Sequence, residues 1–264
     1  MPLVAADLPL TASVAARLEA VLSTGSTNAD LVRAVSQDPA AWPHLSVLVT
    51  DDQRSGRGRL DRSWEAPAGS GLAVSVLVRV GGIPPRARGW VPLVAGAALT
   101  RAVAAQVAGS AHGVGLKWPN DVLLDGGKLC GILAEAVAGT SDAIVVGAGV
   151  NTAMTADQLP VATATSFALA GLKVDSDRLL ADYVAALDEQ LRALTATGGD
   201  AAAAGVLGEL EALCATLGRN VVVSLPDGTE LRGRAQRIDT EGRLVVVAGL
   251  GETAVAAGDV VHVR

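Results

Sequence analysis

The sequence predicts an α+β protein with a main domain over residues 1–217 and a small β-barrel over residues 218–264. In the main part, short β-branched runs such as SVLVT (residues 46–50) alternate with longer patterns of helical periodicity. Beyond Gly218 the helical patterns stop, and short apolar runs follow one another, separated by the turns PDG, TEG and AGD. We therefore expect a mixed sheet packed with helices, followed by a separate barrel.

Local patterns predict the elements of the main domain. Ser26 or Thr27 can cap a helix that runs to about Gln37. The loop after residues 46–50 leads into a second strand over residues 71–80, and a largely buried helix follows over residues 90–107. Further strands are expected over residues 115–118, 122–124, 128–137 and 143–150, with hairpin turns at DGG and GTSD, and further helices over residues 176–196 and 201–217, the latter including the Ala-rich stretch 201–204.

Composition and charge exclude several classes of protein. The chain has 264 residues, half of them hydrophobic, and a net charge of −6, which argues against general nucleic-acid binding. The longest runs without charge, residues 102–116 and 158–172, are shorter than a membrane-spanning helix, and the N-terminus lacks the basic region of a secretory signal. Cys130 and Cys214 are isolated, so neither a disulfide framework nor a zinc site is indicated. We expect a cytoplasmic protein with no membrane contact.

A basic stretch, QRSGRGRLDRSW (residues 53–64), stands out in this acidic chain. Gly56 and Gly58 let the backbone approach a ligand closely, and Trp64 offers a surface on which an adenine can stack. The alternative is a flexible solvated loop with a core Trp; neither GxxxxGK[ST] nor GxGxxG is present, the latter because Asp61 stands at its last position. Planar, permanently charged groups suited to phosphate or carboxylate come from Arg57, Arg59 and Arg62.

The stretch KWPNDVLLDGGKLCGILAE (residues 117–135) offers a second group of polar side chains. Pro119 fixes a turn, after which Asn120 and Asp121 present a carboxamide and a carboxylate that can share a hydrated Mg²⁺ ion. A short hairpin would return Lys128 beside Asp121. The alternative is an ordinary turn followed by a surface charge.

Two shorter motifs remain, STN (residues 26–28) and GAGVN (residues 147–151). In the simplest interpretation they are a helix N-cap and a strand end followed by a turn. As part of a site, hydroxyl and amide groups at a helix start suit a small polar head group such as a urea or amide ring.

In order, STN, QxxGRGR with a following Trp, KWPND, KLxGILxE and GxGxN resemble the signature series of the biotin protein ligases, from about Val21 to Arg264. The resemblance implies a class II synthetase-like catalytic domain of the biotin/lipoate ligase type and an SH3-like C-terminal barrel. It also implies a reaction in two steps. Biotin and MgATP give biotinyl-5′-AMP and pyrophosphate, and biotin then passes to a lysine in the biotin carboxyl carrier domain of an acyl-CoA carboxylase.

The resemblance also implies roles for individual residues. Arg57 and Lys128 would lie at the biotin carboxylate and the developing acyl phosphate, and Asp121 would support the nucleotide and its Mg²⁺. Apart from the resemblance, an ordinary lysine with a pKa of about 10.4 is almost wholly protonated at pH 7, so a nearby carboxylate would help the transfer, and we expect Asp121 to orient the acceptor amine. The biotin pocket would comprise Ser26, Thr27, Asn28, Gln53, Gly56, Arg57, Lys128 and Gly131. The ATP and adenylate site would comprise Arg59, Arg62, Trp64, Lys117, Asn120, Asp121 and Asn151, and the catalytic set would be Arg57, Arg59, Asp121 and Lys128.

The chain departs from the family pattern at two places. Asp61 stands where many relatives have a further glycine, and Asp visits left-handed conformations less freely. The residues ahead of Val21 are too few to encode the winged helix-turn-helix of bifunctional relatives, so we expect no operator binding by a monomer or weak homodimer. The alternatives are a lipoate–protein ligase, a vitamin sensor without turnover and a nucleic-acid-binding protein.

Overall fold

The computed structural model describes residues 2–59, 62–225, 227–249, 251–256 and 258–263. Its centre is a mixed seven-stranded sheet in the order β1-β2-β5-β9-β8-β7-β6, in which only β1 and β2 are parallel. The strands are β1 (Arg17–Ala20), β2 (Ser46–Thr50), β5 (Gly71–Arg79), β6 (Val114–Lys117), β7 (Asp121–Leu124), β8 (Gly127–Ala136) and β9 (Ala143–Asn151), and a separate small ribbon comprises β3 (Gly56–Arg57) and β4 (Ser63–Trp64).

Helices cover both faces of this sheet. They are α1 (Pro9–Val14), α2 (Thr27–Gln37), α3 (Trp90–Gln106), α4 (Ser176–Ala196) and α5 (Val206–Leu213). α3 and α4 pack against each other on the face to which Val47 and Val49 point, whereas Leu48 and Leu77 point to α2 on the other face. Because side chains alternate along a strand, Ser75 of β5 lies on the α2 face as well. The candidate site is built on that face.

Most predicted elements are confirmed within one or two residues, including the hairpins that join β7 to β8 and β8 to β9. The helix expected over residues 201–217 is wrong at both ends, since α5 spans only Val206–Leu213. Residues 201–205 form turns that end at Gly205, whose φ of 76° lies in the left-handed region and breaks the helix. α1, β1 and the β3–β4 ribbon were not predicted.

The C-terminal part forms a five-stranded antiparallel sheet in the order β13-β12-β11-β10-β14. Its strands are β10 (Asn220–Ser224), β11 (Glu230–Ile238), β12 (Leu244–Ala248), β13 (Gly251–Val255) and β14 (Asp259–Val263). Among the described residues, no pairing joins β13 to β14 to close the predicted barrel. Two indoles connect this sheet to the main domain: Trp90 Nε1 donates to Thr240 O and Trp118 Nε1 to Gly242 O, both at 3.1 Å.

None of the described helices is both long and apolar enough to cross a membrane.

The Trp118 hydrogen bond gives a test of this connection. Trp118 is buried, so Trp118→Phe would leave the Gly242 carbonyl without its donor, and we expect the free energy of unfolding to fall by about 1–3 kcal/mol. Urea denaturation measures this change. Val261→Ala, at an exposed position of β14, is the control and should change stability by less than about 0.5 kcal/mol. Equal stability of Trp118→Phe and the wild type would contradict the assignment.

Candidate active site

The floor of the candidate site is a patch of sheet with almost no side chains. Gly131, Gly147 and Gly149 lie on the α2 face of β8 and β9, and they line a solvent-open cavity together with Ala73 of β5. The indole of Trp64 lies directly on this floor, since a Cβ at Gly149 would stand 2.2 Å from Trp64 Cε2. The missing side chains therefore let an aromatic ring line the cavity.

Hydroxyl and amide groups converge at the polar end of the cavity. Ser26 caps α2 by accepting a hydrogen bond from Ala29 N at 3.3 Å, and Gln53 Oε1 accepts one from Thr27 N at 2.9 Å. Ser75 Oγ lies 2.8 Å from Thr27 Oγ1 and 2.6 Å from Asn28 Oδ1. A hydroxyl has a single proton, so Ser75 can donate to only one of these two oxygens at a time, and the Thr27 hydroxyl itself donates to Gln53 Oε1 at 3.1 Å. The STN motif is thus both a helix cap and part of a directed hydrogen-bond chain.

Glu135 links these hydrogen bonds to the arginine loop (residues 53–64). Its Oε2 accepts from Asn28 Nδ2 at 2.8 Å and pairs with an Arg57 nitrogen at 3.0 Å. Asn28 is buried, whereas the Arg57 side chain is about half exposed. Glu135 therefore holds Arg57 at the edge of the cavity, beside the polar end.

Lys128 returns beside Asp121, as the hairpin predicted, with 2.7 Å between Lys128 Nζ and Asp121 Oδ1. Lys128 Nζ also lies 5.9 Å from the centre of the Trp64 ring. Asn120 is fixed by donation to Ile132 O at 2.8 Å, and its Oδ1 accepts from Arg59 at 2.9 Å. The second polar stretch and the arginine loop therefore meet in one cavity.

Arg59 and Arg62 connect the loop to the C-terminal sheet. Arg62 pairs with Asp259 of β14 at 2.5 Å, and Arg59 donates to Gly258 O at 3.4 Å. Burial lowers the pKa of Arg59. The negative charges of Asp121 and Asp259 raise it, but by less, so the net pKa is lowered. Burial also raises the pKa of Asp259, but its hydrogen bond and charge interaction with Arg62 outweigh this effect, so the net pKa is lowered.

Not every predicted site residue lines the cavity. Lys117, the cross-strand partner of Asp121, and Asn151, whose Nδ2 donates to Thr165 O at 2.8 Å, lie outside its lining. Gly56 also lies outside it, but a Cβ there would stand 2.3 Å from Gln53 Nε2, so this glycine lets the loop pack against Gln53. The expectation about Asp61 lies outside the described residues.

Three contributors were missed by the sequence analysis. Ser75 and Glu135 could have been found from strand alternation, because Ser75 is the one hydroxyl in the run LAVSVLV, and Glu135 shares a strand face with Gly131. Asp259 carried no local signal, since its partner Arg62 lies on a distant part of the chain.

The donor set fits a magnesium ion but no larger metal centre. Asp121 Oδ1 is buried and accepts no hydrogen bond from the described residues, so its contact with Lys128 is an ion pair without hydrogen-bond geometry. One carboxylate with a neighbouring amide is typical of Mg²⁺ sites completed by substrate phosphates. Within the described ranges, no group of three His, Cys, Asp or Glu side chains could hold a metal.

The cysteines take no part in the cavity. Cys130 and Cys214 are both buried and free, and burial raises the pKa of each thiol. This agrees with the expected isolated buried thiols. The cavity combines a polar pocket, an aromatic ring, cationic side chains and a carboxylate, and none of its described lining residues is a Cys or His.

The contact between Glu135 and Arg57 leads to a prediction about the arginine loop. Glu135→Gln keeps an acceptor for Asn28 but removes the charge that attracts Arg57, so we expect trypsin to cleave the ligand-free loop about two- to fivefold faster. Mass spectrometry of the fragments measures cleavage after Arg57 and Arg59. Asp52→Asn, which removes the pairing of Asp52 with Arg54 in the same loop, is the matched control. Identical rates in both variants would show that Glu135 does not hold the loop.

Comparisons with known proteins agree with this geometry. The sequence profile of the Biotin/lipoate A/B protein ligase family matches residues 24–151, and that of the biotin protein ligase C-terminal domain matches residues 216–263. The chain is 37% identical over 249 residues to the biotin–[acetyl-CoA-carboxylase] ligase of Mycobacterium tuberculosis, covering 94% of this chain and 90% of that protein. It is 33% identical to the bifunctional ligase/repressor BirA of Escherichia coli, over 76% of this chain and 61% of that protein.

Its fold is similar to that of the biotin protein ligase from Aquifex aeolicus solved in complex with biotin and ATP, with a TM-score of 0.75 and 23% sequence identity, over 94% of this chain and 99% of that one. The chain belongs to the biotin protein ligase family.

Proposed function

We propose that the chain is an ATP-dependent biotin protein ligase, which activates biotin as biotinyl-5′-AMP and transfers it to a lysine of a biotin carboxyl carrier domain. One observation carries this function. A single cavity joins a polar end, at Thr27 and Asn28, to the Trp64 ring and to Lys128 beside Asp121. This order suits a ligand with a polar ring at one end and a carboxylate that must meet a nucleotide at the other.

The first step needs no protein nucleophile. An oxygen of the biotin carboxylate attacks the α-phosphorus of ATP, and the bond from that phosphorus to the bridging oxygen breaks to release pyrophosphate. Because both reactants are anions, the barrier is lowered by held cations. Arg57 and Lys128 line the cavity and can supply this charge. Asn120 and Asp121 would hold the Mg²⁺ that accompanies ATP, whose charge would offset that of the phosphates.

The arginine loop would then close over the mixed anhydride. Arg57 pairs with Glu135, and such a partly exposed pair contributes little stability. The biotin carboxylate can therefore take the place of the Glu135 carboxylate at modest cost. We propose that the loop is mobile without ligand and ordered with it, and that closure keeps water from the anhydride.

In the second step the acceptor lysine amine attacks the acyl carbon, AMP leaves, and the amine loses a proton. An ordinary lysine has a pKa near 10.4 and is almost wholly protonated at neutral pH. We propose that Asp121 orients this amine. Its Oδ1 accepts no hydrogen bond from the described side chains, but Lys128 Nζ lies 2.7 Å away, so the acceptor amine would have to displace the Lys128 ammonium to make this contact.

The residue roles proposed for this chain follow from these steps. Ser26, Thr27, Asn28 and Gln53, supported by Ser75, would bind the biotin ring, and Trp64, Arg59 and Arg62 would bind the adenylate. We further propose that Gly56 and Gly131 provide close backbone approach to biotin, and that Lys117 and Asn151 support the nucleotide from outside the cavity lining.

The chain divides into two domains in this proposal. We propose a catalytic domain over residues 1–217 and a C-terminal domain over residues 218–264, which the separate sheets and the second family match support. We also propose a cytoplasmic monomer or weak homodimer that binds no operator DNA.

ATP–pyrophosphate exchange tests the function. With purified protein and magnesium, we expect exchange in the presence of biotin, and none with lipoate or without an added acid. Exchange with lipoate instead would retain the adenylation chemistry but overturn the biotin pocket. Absence of exchange with either acid would leave a vitamin sensor without turnover.

The glycine floor provides a sharper test of the adenylate site. In Gly149→Ala the new Cβ would stand 2.2 Å from the Trp64 indole, so the ring must move away. Loss of base stacking is worth about 1–3 kcal/mol, and we expect the KM for ATP in the exchange assay to rise by about 5- to 150-fold. Gly113→Ala, where a Cβ meets no atom within 4 Å, is the control. An unchanged KM in Gly149→Ala would remove Trp64 from the nucleotide site.

A further inference from the structure

The backbone of Lys128 is held by a segment that follows β9. Lys128 N donates to Thr163 O at 2.8 Å, and Thr165 N donates to Lys128 O at 2.9 Å. These two bonds form a short parallel bridge centred on Ala164, outside the named strands. Residues 163–165, which we call the bridging segment, therefore fix the position from which the Lys128 side chain enters the cavity.

The bridging segment is itself held by Asn151, the last residue of β9. Asn151 is 3% exposed, and its Nδ2 donates to Thr165 O at 2.8 Å. On its other side the segment packs tightly against β8, since a Cβ at Gly127 would stand 2.9 Å from Thr165 Cβ. The Asn151 carboxamide thus fixes the bridging segment from the β9 side, and the two backbone hydrogen bonds of the segment fix Lys128.

We propose that Asn151 is a positioning residue for Lys128 and acts through the bridging segment. The proposal rests on the proposed function only for the role of Lys128 at the biotin carboxylate. A lysine side chain has many rotamers, so the placement of its ammonium group depends on a fixed backbone. Loss of the Asn151 donor leaves the Thr165 carbonyl without that partner and frees the segment, and Lys128 Nζ then loses its defined distance to Asp121.

Amide hydrogen exchange in the ligand-free full chain tests the geometric part. In Asn151→Ala we expect the Lys128 and Thr165 amides to exchange at least about tenfold faster, because a hydrogen bond of about 1.4 kcal/mol no longer opposes local opening. Thr152→Ala is the matched control. It removes a hydrogen bond to Ser70 O at 3.1 Å from the adjacent residue, and the two amides should keep their wild-type rates. Unchanged exchange in Asn151→Ala overturns the proposal, whatever the enzyme's activity.

Asn151→Asp provides a second variant with the same shape. Its carboxylate cannot donate to Thr165 O, whereas its protonated form can. After correction for intrinsic exchange, opening at Lys128 should therefore be enhanced at neutral pH and relieved as the carboxyl is protonated at lower pH. A general loss of folding would show no such reversal, and its absence would count against the proposal.

Ligand binding separates positioning from a direct adenylate contact. If Asn151 positions Lys128, Asn151→Ala should weaken biotin binding in the absence of ATP by about tenfold, measured by calorimetry, while Thr152→Ala should not. The kcat of exchange should fall more than the KM for ATP rises. A raised KM for ATP with unchanged biotin affinity would mean that Asn151 serves the adenylate alone, which overturns the proposal. A protein that shows no biotin-dependent exchange would contradict the proposed function and leave the amide measurement valid.

Discussion

The candidate site depends on the absence of side chains from one face of the central strands. A Cβ at Gly147 would stand 2.2 Å from Asn28 Oδ1, and one at Gly149 would meet the Trp64 indole at the same distance. The start of α2 and the end of the arginine loop can therefore approach the sheet only because these positions are glycines. The neighbouring residues of β9, Val146 and Val150, point to the opposite face and fill the core. One strand thus packs the core and forms the cavity floor.

Charge pairing is the second organising constraint. In a chain of net charge −6, two arginines of the loop meet a carboxylate from another element: Arg57 meets Glu135, and Arg62 meets Asp259. Both pairs are partly exposed, and the free energy gained by forming such a pair is small because water competes for each charge. The loop can then exchange a protein carboxylate for a ligand carboxylate or phosphate with little net loss. A deeply buried pair would hold the loop too firmly for this exchange.

The sequence predicted features whose causes are local and left out those that arise at a distance. The α2 cap at Ser26 and the return of Lys128 to Asp121 follow from a capping residue and a hairpin turn, so both were correctly predicted. Ser75 stands out by strand alternation as a hydroxyl in an apolar run, but its partners Thr27 and Asn28 come from another element and carry no signal in that run. The pairing of Arg62 with Asp259 joins residues that no pattern connects. The prediction for α5 was wrong because the alanines of residues 201–204 favour a helix, whereas the left-handed conformation of Gly205 interrupts it.

The C-terminal sheet contributes to the site through two routes that converge on one turn. Trp118 donates to Gly242 O beside β12 of this sheet, and Pro119 connects Trp118 to Asn120, which accepts from Arg59. Arg59 in turn reaches Gly258 O, at the start of β14. The turn that carries Asn120 is thus fixed by the Trp118 indole and by Arg59. Each of these two side chains also donates a hydrogen bond to the C-terminal part, at Gly242 O and Gly258 O. A displacement of that sheet would move the carboxylate and the arginine loop together, so its packing is part of the geometry that brings cation and anion into one cavity.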